Sequence, residues 1–82
     1  MTNKLSTAEE LRRGIVDTVR EATPFIIAGD RGARPRACLD RAHDLAAKLK
    51  ALAEQTGLQD SREHAIRMLS VIEVLQSKVV AD

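Results

Sequence analysis

The chain has 82 residues, 44% of them apolar and 30% charged, with Phe25 as its single aromatic side chain. A chain this short buries only about 60 to 65% of the surface it exposes unfolded, so residues 1–82 make one domain. Thirteen basic residues against twelve acidic ones leave a net charge of +1, which excludes a polybasic nucleic-acid coat or an acidic tail over the whole length.

With Leu, Ile, Val, Ala and Met as the core material, the composition is that of packed helices. Cys38 is the only cysteine; with no internal disulfide available, a reducing cytoplasm is the expected setting. Met1 to Leu11 lacks the apolar stretch of a secretory signal. The longest apolar run, Phe25 to Ala28, is far short of the ~20 residues of a membrane span. A core this small seldom supplies more than about 3 to 5 kcal/mol, so self-association, a homodimer first, is expected.

Residues 1–5 carry no pattern and are expected to be disordered. The first helix is predicted over about 7–22. Ser6 with Glu9, or Thr7 with Glu10, can form a capping box, and Ala8, Leu11, Ile15, Val19 and Ala22 recur at helical spacing. Pro24 disfavours helical geometry at Thr23 and is expected to end the element. Residues 24–28 then form a short helical turn or a short strand. Gly29 to Arg36, with two glycines, a proline and three arginines, reads as an irregular basic connection.

A second helix is predicted over about 36–55, with Cys38, Ala42, Leu45, Leu49 and Leu52 as its seam and Leu39, Ala46 and Ala53 widening it. Gly57 and Leu58 supply its C-terminal cap. The third helix, about 61–80, is capped by Asp60 or Ser61. Its apolar side chains, Val71, Leu75, Met68, Val79, Ile72, Ala65, Leu69, Val80 and Ile66 among them, cover an arc of roughly 220°, against a stripe of about 100° on an ordinary surface helix. Val74 lies outside even this arc. Either the third helix lies between the other two, or a second copy or another partner covers part of it. Ile66, Leu69, Val71, Val74 and Leu75 are the expected oligomer interface.

Arg31, Arg34, Arg36 and Arg41 face only Asp40 in their stretch, a local charge of +3. Arginine forks recognise carboxylates and phosphates, which makes these four the expected partner contacts; the lysine and hydroxyl of a phosphate loop are missing. Asp40, His43 and Asp44 approach one another at helical spacing as metal ligands or an oriented base would, but no third strong ligand accompanies them and exposed polar residues are the plainer reading. His64 has only Glu63 beside it. Cys38 occupies an apolar seam position, where packing is expected rather than nucleophilic chemistry. No serine elbow, zinc-binding His-Glu motif or paired Cys-x-x-Cys occurs, so no enzyme activity, cofactor or metal is expected.

Taken as strand, helix, helix, residues 24–80 resemble the ribbon-helix-helix repressors, with Gly57-Leu58-Gln59-Asp60-Ser61-Arg62-Glu63-His64-Ala65-Ile66 similar to their turn into the second helix. That resemblance implies a dimeric DNA-binding regulator. The departures are that Pro24-Phe25-Ile26-Ile27-Ala28 offers no polar side chain to read bases and that the next helix is long for that family. Phe25-Ile26-Ile27-Ala28-Gly29, Cys38-Leu39-Asp40-Arg41-Ala42-His43-Asp44-Leu45, Ala65 to Leu69 and Val79 to Asp82 also resemble an uncharacterised family of short pseudomonad proteins, with a longer spacing after Gly29. This likeness implies bacterial origin, two long helices and no known activity.

The expected fold is therefore an all-α three-helix bundle. The expected function is that of a non-enzymatic adaptor or inhibitor of bacterial or phage type, a homo-oligomer that docks on a larger protein. The DNA-binding regulator is the alternative.

Overall fold

The computed structural model describes residues 4–29 and 32–80, with side chains for 7–29 and 32–79. Three helices follow one another, α1 (Lys4–Ile27), α2 (Ala33–Thr56) and α3 (Gln59–Val80). The chain is an all-α three-helix bundle, measuring 42 × 21 × 15 Å along its principal axes. No helix among the described residues is long and apolar enough to cross a membrane.

Each helix is longer at its start than the sequence pattern predicts. α1 begins at Lys4, so residues 4 and 5 are helical rather than disordered, and the helix starts before Ser6 and Thr7; residues 1–3 lie outside the described part. α1 also runs through Pro24 to Ile27. Of the two alternatives for 24–28 the strand does not form; residues 24–27 are a helical turn continuous with α1. Pro24 is exposed and lies in the last turn, where, having no N–H, it gives up one helical bond, the one to the Arg20 carbonyl. The two residues after it are half-buried, and Ile26 packs with Ala22, Leu39 and Val79. Full burial of such a side chain contributes about 1.5 to 3 kcal/mol, so half-burial of two offsets part of the local cost of proline.

The connection shortens correspondingly. Gly29, at φ 79°, closes α1 with its N–H donating to the Ile26 carbonyl at 3.0 Å. α2 starts at Ala33, so Arg34, Pro35 and Arg36 belong to its first turn, where proline has no intrahelical partner to lose. Between α2 and α3 the predicted cap is present. Gly57 is left-handed at φ 73°, its N–H reaches the Ala53 carbonyl, and the Leu58 N–H does the same at 3.1 Å. α3 starts at Gln59, which places Asp60 and Ser61 inside its first turn rather than at the cap.

One core unites the three helices: Ala8 and Ile15 of α1, Ala42, Ala46 and Leu49 of α2, and Ala65 and Ile72 of α3 are all buried together. A second cluster of Ala22, Leu39 and Val79 closes the far end. The predicted stripe of α1 holds, with Thr18 added; its buried hydroxyl donates to the Gly14 carbonyl at 2.6 Å. In α2 the buried row is Pro35, Leu39, Ala42, Ala46, Leu49 and Ala53, while the predicted seam members Cys38, Leu45 and Leu52 are only half-buried.

The cause of that shift is the position of α2. It packs extensively against both α1 and α3, whereas α1 and α3 touch each other sparingly. A helix gripped from two sides buries the middle of its apolar arc and leaves the edges half-covered. Of the two alternatives for the apolar surplus of α3, a place between the other two helices is not the one found, since α2 holds that place.

A candidate docking surface between α1 and α3

Register across the bundle follows from four contacts. Cys38 Sγ lies 4.0 Å from Glu21 Oε2, and a Cβ on Gly14 would stand 3.3 Å from Leu45 Cδ1. Gln76 Nε2 donates to Asp40 Oδ1 at 2.9 Å, and His43 Nε2 lies 3.3 Å from Glu73 Oε2. These pairs run antiparallel from α1 to α2 and from α2 to α3, so α1 and α3 are parallel. Ala8 and Ala65, Ile15 and Ile72, and Ala22 and Val79 then share three levels, two helical turns apart.

At helical spacing these contacts also assign each flank. On α1, Glu21, Gly14 and Phe25 face α2, which leaves Arg12, Val16, Arg20 and Ile27 on the flank toward α3. On α3, Glu73 and Gln76 face α2, which leaves His64, Arg67, Val71 and Lys78 on the flank toward α1. The large apolar side chains that stay exposed are Val16 (38%), Ile27 (80%), Ile66 (38%), Val71 (43%) and Val74 (56%). Val16 and Val71 edge the seam between α1 and α3, Val74 lies just outside it, and Ile27 stands at its C-terminal end.

The five residues expected to form an oligomer interface do not make one surface. Leu69 and Leu75 are half-buried and pack on the core clusters. Ile66 lies on the α2 side of α3, about 140° around the helix from Val71. Only Val71 and Val74 remain together on the open side, where Ser70, Glu73, Ser77 and Lys78 border Val74 in a shallow bowl.

The four arginines separate as well. Arg31 lies outside the described residues. Arg34 and Arg41 are exposed on the α1 flank of α2, two turns apart, and the Arg34 guanidinium lies 5.7 Å from the Phe25 ring centroid. Arg36 is on the opposite flank, where it lines a cavity of about 290 Å³ with Leu39, Asp40, Gln76 and Val79. The sequence pattern puts Arg31, Arg34 and Arg36 in an irregular connection and Arg41 in the second helix; helical geometry from Ala33 onward sets Arg34 and Arg36 on different flanks.

The remaining candidates resolve into structural contacts. Asp40 and His43 bond across to α3, while Asp44 takes Lys48 at 3.1 Å within α2. Among the described residues no group of three or more His, Cys, Asp or Glu side chains could hold a metal ion. Cys38 is half-buried against the Ala22–Leu39–Val79 cluster.

His64, beside which the sequence offers only Glu63, takes its surroundings from the fold. Its Nε2 is buried without a hydrogen-bond partner. Burial first, then the charges of Arg12 across the seam and Arg67 one turn on, hold its pKa below the ordinary histidine value. Only the α1–α3 register brings Arg12 to it, so no local motif could have marked it. Arg12 also borders a shallow cavity of about 320 Å³ over the α2–α3 turn, with Gly57 to Ser61.

No protein-family model matches the chain, and neither a curated protein nor a solved structure is significantly similar to it.

Proposed function

We propose that this protein is a non-enzymatic binding module that docks on a larger protein through the α1–α3 side of its bundle. The observation that carries this reading is the incomplete third seam: α2 is packed on both flanks, while Val16 and Val71 stay exposed where α1 and α3 meet and Val74 lies just outside. Exposed apolar side chains gathered on one side and rimmed by charge are the usual mark of an interaction surface. The sequence holds no serine elbow, zinc-binding His-Glu motif or paired Cys-x-x-Cys, which favours an adaptor or inhibitor of bacterial or phage type over an enzyme. The ribbon-helix-helix alternative gains no support, since residues 24–27, which would have to be its strand, close α1.

Photo-crosslinking in the cell tests the reading. A benzophenone amino acid at Val74 should give a discrete adduct of higher mass, and the same group at the exposed Ala51 on the outer face of α2 should give none. Equal labelling at both positions, or none at either, would refute it. An adduct of twice the chain's own mass would assign the surface to the homo-oligomer expected from α3.

A further inference from the structure

The three seams of the bundle differ in charge. Across α1 and α2, the register sets Glu10, Asp17 and Glu21 opposite the row Arg34, Arg41 and Lys48. Across α2 and α3, Asp40 meets Gln76, His43 meets Glu73, and Glu54 stands level with Arg62. Both seams are complementary. Across α1 and α3, cations stand on both rims: Arg12 and Arg20 on α1, Arg67 and Lys78 on α3. All four are exposed, and among the described residues none of them makes an ion pair. The two carboxylates on these flanks, Glu9 and Asp60, both lie at the N-terminal end, where Asp60 already serves the first turn of α3.

Such a seam repels itself. Its floor is apolar, with Val19, Met68 and Leu75 half-buried beneath Val16 and Val71, and its two walls are parallel helices of 24 and 22 residues. Resting on the binding-module reading, we propose that the α1–α3 seam accepts an acidic amphipathic helix of a partner protein, antiparallel to both walls, which completes a four-helix bundle. An up-down-up arrangement leaves one antiparallel place beside its first and third members. Apolar anchors of the incoming helix cover Val16 and Val71, and carboxylates along both of its edges meet Arg12, Arg20, Arg67 and Lys78. Exposed pairs of this kind contribute little affinity each. Their effect is on choice of partner and rate of encounter, while the apolar strip supplies the holding energy.

The probe is a fluorescein-labelled synthetic helix of about 20 residues, long enough to span the seam, with leucines on one face and glutamates along both edges. A control peptide carries lysine at every glutamate position. Fluorescence anisotropy should show binding of the acidic peptide only, weakened at least about tenfold by V71D and by the double variant R12E/R67E, and weakened as salt rises from about 50 to about 300 mM. All three positions are exposed, so urea midpoints should stay near that of the parent; V71S serves if V71D does not fold.

Equal binding of the lysine peptide, no binding of the acidic one, or binding indifferent to V71D overturns the proposal. So does a dimer in sedimentation velocity that V71D dissociates, because a second copy would then own the seam. A Val74 adduct with another protein, found while the peptide fails, would retain the binding-module reading and reject this occupant.

Discussion

Replacing His64 with leucine removes a buried nitrogen that has no partner and a group whose pKa is held below the ordinary histidine value by burial and then by two arginines. A buried polar atom left unsatisfied costs about 1 to 3 kcal/mol, so His64→Leu should stabilise the fold at pH 7.5 by about 1 kcal/mol, raising Tm by about 4 to 8 °C for a domain of this size. The pH dependence has a definite sign. The folded-state pKa of His64 is lowered from 6.5, so at mildly acid pH the unfolded chain binds more protons than the folded one and stability rises with pH. The contribution is complete above about pH 6.5 and is lost as pH falls through that value toward the folded pKa. Urea melts at pH 7.5 and 5.5 should therefore show the parent losing stability on acidification relative to His64→Leu. The difference between the two proteins isolates this side chain from His43 and the carboxylates. A variant less stable than the parent at pH 7.5, or one with an unchanged pH slope, would refute the reasoning.

Ile72 is fully buried at the middle level of the core, with Ile15, Ala42 and Ala46 in the same cluster. Ile72→Ala should cost about 2 to 5 kcal/mol, a large share of the roughly 4 to 12 kcal/mol that 0.05 to 0.15 kcal/mol per residue allows, and urea titration should show most of the transition lost or shifted to low denaturant. Gly57→Ala forces a Cβ into the left-handed cap at φ 73° with open space around it. The expected loss is about 1 to 2 kcal/mol of backbone strain alone, with an unchanged m-value; a neutral result would mean that the Ala53 carbonyl cap can re-form without the left-handed residue.

The number of helices, their approximate spans, the Gly57–Leu58 cap and the apolar stripe of α1 were legible in the sequence because they are local: spacing at three and four residues and a glycine that alone tolerates φ > 0. The excess of apolar surface on α3 was legible too, since it is a property of one helix. What local pattern could not supply is which helix lies between the others. Many apolar stripes can be paired in more than one way, and it is the packing of α2 against two neighbours that moved the buried row to Leu39 and Ala46, drew α1 through Pro24, and sent Leu69 and Leu75 inward while Val71 and Val74 stayed outside. Charges close in the chain, Arg34 and Arg36, parted onto opposite flanks of a helix. Charges remote in the chain, Arg12 and Arg67, came to share a seam with His64. Residue spacing determines the face of a helix, because that is set by backbone geometry; only the tertiary register determines what each face meets.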